Sequence, residues 1–171
     1  DLKFIGMQFI IEGLALAAFE RQRATVMDPL LKDIFYLVIR DEARHVTFGV
    51  NYLEEFVSTL SEKERNDRAE FAYEACVVMR NRFGSTNVIN HYGWDAEAAA
   101  QAQVGSEAGR LFANLLFSKI MPNLRRIGLI TDEVSDKYEE MGILQFKDLD
   151  DASVTDWDEM TKPLEYAYKT A

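Results

Sequence analysis

From Leu31 to Phe56 an apolar residue returns every three or four positions, and no proline falls within the stretch. A spacing of 3.6 residues per turn can be satisfied only by a helix with one side turned to a core. The start is marked as well. Asp28 is a good N-cap, and Pro29 suits the first helical position, where no backbone N–H is needed. These signals predict one helix over 29–59, about 45 Å long at 1.5 Å per residue.

A second helix is predicted over 2–27, with Ile5, Phe9, Leu16 and Phe19 on its seam. Such a short link makes the two helices antiparallel neighbours. Ser61 followed by Glu64 is a capping box, so a third helix is predicted over 62–83. The Gly- and Asn-rich stretch 84–94 reads as a loop. A helix over 95–121 follows, with a break near Gly105 and an end at Pro122. Thr131-Asp132-Glu133 opens one more helix, which ends near Gly142, and the last thirty residues read as an acidic, aromatic tail that wraps the rest. The expectation is therefore an all-α protein. Residues 1–60 form an antiparallel helix pair, and 61–171 add helices and a tail packed into the same domain.

Composition supports this and narrows the partners. The 171 residues are 48% hydrophobic and 28% charged, with only 9 Gly and 3 Pro, as in a globular helical chain. A net charge of −10 repels phosphate and argues against nucleic acid or an anionic membrane as partner. The single cysteine, Cys76, excludes an internal disulfide and a cysteine-built metal site. Its neighbours Ala75, Val77 and Val78 suggest a buried, inert thiol. With no signal peptide and no run long enough to span a bilayer, a reducing cytoplasm is the expected setting. The apolar pattern is already running at Leu2, so the chain reads as part of something longer.

Three positions break the apolar pattern. On the long helix the predicted inward stripe is Leu31, Ile34, Phe35, Val38, Gly49, Tyr52 and Phe56, and Glu42 and His45 fall on it. Asp33, Arg40 and Arg44 fall on the outer side. On the first helix Glu12 lies between Phe9 and Leu16. A buried carboxylate costs several kcal/mol unless compensated, and a metal ion compensates it. Residues three apart on a helix have Cβ atoms about 5–6 Å apart, so Glu42 and His45 can share an ion. Glu-x-x-His is the inward-projecting motif of di-iron carboxylate bundles. Glu12 lies about 16 residues before the turn and Glu42 about 14 after it, which brings them level on antiparallel helices. Small neighbours (Gly13, Ala15, Ala17, Ala18) allow close approach. Iron accepts this mixture of imidazole and hard carboxylate oxygen. Asp41 is a candidate to orient the His45 ring by accepting its second proton. A surface pair with Arg44 is the plainer reading of Asp41, and a core histidine bonded to an acid is the plainer reading of Glu42 and His45. His91 reads as a loop residue, and Tyr52 as packing.

The strings Ile11-Glu12-Gly13-Leu14-Ala15 and Asp41-Glu42-Ala43-Arg44-His45-Val46-Thr47-Phe48-Gly49 resemble the second half of the ferritin-like di-iron oxidases. That group includes the ribonucleotide reductase small subunit, its ligand-binding oxidase cousins and the arylamine N-oxygenases. The resemblance covers about residues 5–55 and implies a ferritin-like bundle in which Glu12, Glu42 and His45 are metal ligands. It implies iron as cofactor, with manganese able to replace one ion, and an oxidase or oxygenase that uses dioxygen on a small organic substrate with an external electron donor. These families carry a second Glu and a second Glu-x-x-His, which this sequence lacks. Either a preceding segment supplies them, or two chains pair as a homodimer and each gives half a site. A ferroxidase or iron-handling protein and a non-catalytic helical scaffold are the competing functions.

Overall fold

The computed structural model describes residues 1–82 and 86–158. These residues form helices and turns, with no strand among them. The order is a π-helical segment (Phe4–Ile11), then α1 (Glu12–Thr25), α2 (Pro29–Ser58), α3 (Glu62–Arg82), α4 (Thr86–His91), α5 (Ala96–Gly105), α6 (Glu107–Arg126) and α7 (Asp132–Glu140). Short 3₁₀ turns follow at Leu144–Phe146 and Ala152–Val154. The all-α class expected from the pattern is what the chain adopts.

Local chemistry sets most of the boundaries. The Asp28 carboxylate accepts from the Leu31 N–H at 2.9 Å, and Pro29 opens α2 behind it. At the start of α3 the capping box forms in full. The Ser61 N–H and hydroxyl both donate to Glu64, at 3.0 and 2.6 Å, and the Glu64 N–H returns to the Ser61 hydroxyl at 3.4 Å. Ser106 ends α5 and caps α6 by accepting from the Gly109 N–H, so the expected break near Gly105 is real. Gly128, at φ +77°, closes α6 in a left-handed turn. There the Leu129 N–H reaches back to the Leu124 carbonyl at 2.9 Å, a geometry that glycine adopts without steric cost.

Four expectations need correction. The first helix does not run as one α-helix from Leu2, because residues 4–11 are wound as a π-helix. The stretch 84–94 is not all loop, since Thr86–His91 is helical; residues 83–85 lie outside the described residues. Pro122 does not end a helix but sits buried inside α6. Its ring lies in the core, where burial offsets the missing hydrogen bond, and the adjacent Asn123 side chain donates to the Lys119 carbonyl at 2.8 Å.

The fourth correction is the orientation of α2. Its buried positions are Asp33, Ile39, Ala43, Val46, Gly49, Val50, Leu53 and Val57. Apart from Asp33 and Gly49 these are expected stripe positions moved on by one residue, a rotation of about 100°, and Phe35, Val38 and Phe56 are left half-buried. Leu31, Ile34, Phe48 and Tyr52 are exposed, whereas Asp33, expected outside, is buried.

α1 and α2 pack along one another, and α6 lies across α1. Gly13 makes that crossing close: a methyl group there would stand 3.2 Å from Ile120. α3 packs on the π-helical segment and on α7. One buried cluster draws residues from the π segment, α1, α2, α3, α6 and α7, with Leu53, Leu116, Ile120 and Tyr138 fully enclosed. Cys76 is buried in it, and burial pushes its thiol up to about 12, as expected of an inert sulfur. Beyond α7 the chain wraps back. The Ala152 N–H donates to Asn123, and Arg126 holds Asn51 and Glu54 of α2. Residues 159–171, the end of the expected tail, lie outside the described residues.

Candidate metal centre

Glu12 is the first residue of α1, directly after the π-helical segment. Glu42 and His45 are one turn apart on α2. Antiparallel packing brings the three together. His45 Nδ1 lies 3.2 Å from Glu12 Oε2 and 3.3 Å from Glu42 Oε2. One ligand atom from each residue falls within 4.8 Å of the others, the single such grouping among the described residues.

The site lies on the flank of α2, not in its core. The side chains of Glu12 and Glu42 are 22% and 20% exposed, and that of His45 is 55% exposed. The rotation of α2 accounts for this, because the stripe carrying Glu42 and His45 is the one turned partly to solvent.

Electrostatics record the crowding of like charges. Partial burial, together with the hydrogen bond and charge of Glu42, raises Glu12 to about 6, against a lesser opposing pull from His45. The hydrogen bond from Glu42, then that from Glu12, raises His45. The group therefore retains protons that isolated side chains would release. A divalent cation placed among one nitrogen and two carboxylate oxygens would displace them.

Asp41 lies outside the group. Its carboxylate is taken by Arg44 at 2.7 Å, with both side chains at least half exposed, so here the surface pair holds and not the contact with the His45 ring. His91 ends α4 and meets Tyr92 edge to face. Tyr52 packs on Phe4 at 4.9 Å and stacks with Phe56. Together with Phe48, 6.3 Å from Phe4, these rings form an aromatic flank that runs from one to about three turns beyond His45 along α2. The place of Phe4 on that flank escaped the sequence, because a π-helical turn has no compositional signature and shifts every residue upstream of Glu12.

A scan against family models gave no match, and searches of curated proteins and of solved structures also gave none.

Proposed function

We propose that Glu12, Glu42 and His45 hold iron as half of a carboxylate-bridged two-ion site, and that the protein is a dioxygen-using oxidase or oxygenase acting on a small organic substrate. The observation that carries this reading is the convergence of two carboxylates and an imidazole from two antiparallel helices within 4.8 Å. The donor set suits the ion: imidazole and hard carboxylate oxygen are ligands iron accepts, and manganese shares the oxygen preference. The protons held on Glu12 and His45 mark a place where negative charge lacks a permanent counter-charge.

When bound, iron supplies the electrons that reduce dioxygen. The chain's own residues perform the rest. Glu12 and Glu42 would provide the negative charge, with Glu12 giving up a proton to the metal, and His45 would add a neutral ligand through one ring nitrogen. The aromatic flank of Phe4, Phe48, Tyr52 and Phe56 offers an apolar surface that would exclude water once covered. Three ligands leave the site incomplete, and the His45 side chain is half exposed. A second copy, bringing its own Glu12, Glu42 and His45, would complete the two-ion set and bury the exposed Phe48 and Tyr52.

The test is iron per chain after anaerobic Fe(II) loading, with Glu42→Ala as control. About one iron per chain in a dimer, lost in the variant, supports the shared site. No retained iron in either protein rejects a site shared between two copies and leaves a polar helical scaffold or a half-site completed by another segment; restored iron binding on adding that segment separates the two. Oxygen consumption then separates the functions: uptake that needs an organic substrate marks the oxygenase, whereas uptake driven by Fe(II) alone marks a ferroxidase.

A further inference from the structure

At the other end of α1 lies a second feature, independent of the metal ligands. Arg21 is nine residues beyond Glu12, about 14 Å along the helix axis. It borders an open groove of about 870 Å³ between the end of α1, the start of α6 and the segment after α7. Arg80 of α3 and Arg110 of α6 line the same groove, with Glu107 as its one carboxylate. Three guanidinium groups against one carboxylate give a local excess of positive charge in a chain whose net charge is −10.

The arginines are held in place without being neutralised. Arg80 donates to the Met141 carbonyl at 3.3 Å, and Arg110 to the Gly105 carbonyl at 2.7 Å. Arg21 lies over the Phe112 ring, 5.4 Å from its centroid. Among the described residues none of the three forms an ion pair with a carboxylate, whereas Arg44, Arg68, Arg125 and Arg126 all do. Each neutral contact orients a guanidinium and leaves donors of its five-donor fork over. Beside them the groove is lined by Phe112 and the exposed Leu111. A lining that combines guanidinium groups with apolar side chains matches a ligand with an anionic head and an apolar body.

We propose that this groove binds a small organic acid, with a carboxylate or phosphate head on Arg21, Arg80 and Arg110 and an apolar body against Leu111 and Phe112. Arginine recognises both heads through paired N–H donors, so the shared chemistry is that of an oxyanion.

Isothermal titration of the full chain with benzoate, phenyl phosphate and inorganic phosphate tests this. At least one of the two aromatic acids should bind saturably and more tightly than inorganic phosphate, and the tighter of the two names the head. Arg21→Gln and Arg110→Gln should each weaken that acid by about tenfold, the effect of losing one charge-assisted hydrogen bond. Arg23→Gln is the control. It removes the same charge from the same helix, but Arg23 lies over Tyr36 and does not line the groove, so affinity should hold. All three arginines are exposed, and unchanged thermal melts would show that the variants fold. Absence of saturable binding by either acid, equal affinity for inorganic phosphate, or an equal loss in Arg23→Gln would each overturn the proposal.

Discussion

The two apolar faces of α2 have opposite fates. One carries Ile39, Ala43, Val46, Val50, Leu53 and Val57, and is buried. The other carries Leu31, Ile34, Phe48 and Tyr52 and stays exposed, with Glu42 and His45 set between them. The buried face is the one with the smaller residues at its centre. Ala43, Val46 and Gly49 are buried there, and small residues permit the close helix approach that Gly13 makes to Ile120, with dispersion contacts that bulky rings would prevent. The bulkier face then remains available to a ligand, a metal or a second chain.

The largest effect should come from cutting the buried face. Leu53→Ala should cost about 2–5 kcal/mol in urea unfolding, as for a leucine lost from a core. A cost below about 1 kcal/mol would mean that the face is not packed as described.

Next is the stabilisation that the proposed metal site predicts for a divalent ion. Mn(II) at a hundred times its dissociation constant should raise stability by about 2.7 kcal/mol, the mass-action value for a ligand of the native state alone. Glu42→Ala should abolish that gain. If it does not, the ion binds elsewhere.

A smaller effect is expected from pH without metal. Glu12 is raised from 4.5 to about 6, and His45 is raised above 6.5. For both, the folded state binds protons more tightly than the unfolded chain, so their stabilisation is present at low pH and lost as pH rises. Metal-free protein should lose stability from about pH 4.5 through the range above 6.5, and Glu12→Gln should flatten that slope. An unchanged slope in the variant would show that other groups govern it. Metal affinity should change in the opposite sense and strengthen as pH rises, since binding releases the same protons.

The smallest effects should come from the rim of the exposed face. Asp41→Asn breaks an exposed pair with Arg44 and should change stability by no more than about 0.5 kcal/mol, with Mn(II) affinity intact. Phe48→Ala should be similarly mild in dilute protein. A larger, concentration-dependent cost for Phe48→Ala, followed by sedimentation, would show that a second chain covers the face.

Much of this molecule was legible in the residues. The Asp28-Pro29 start of α2, the Ser61–Glu64 box, the break before Ser106 and the meeting of Glu12, Glu42 and His45 all rest on interactions spanning a few residues, or on the equal arms of a hairpin. Asp41 was less legible, because a carboxylate beside both an arginine and a histidine carries no sign of which it will choose. The groove at the end of α1 was invisible, since Arg21, Arg80 and Arg110 are far apart in sequence and meet only when three helices do.

What the sequence determined alone was therefore the helices, their caps and the chemical character of Glu12, Glu42 and His45, since these depend on neighbours along the chain. Tertiary structure decided which of two apolar faces of α2 turned inward, that residues 4–11 wind as a π-helix, and that Pro122 could be carried within α6. A shift of one residue rotates a helix face by only about 100°. Between two faces of similar hydrophobicity, close packing against α1 and α6 makes the choice.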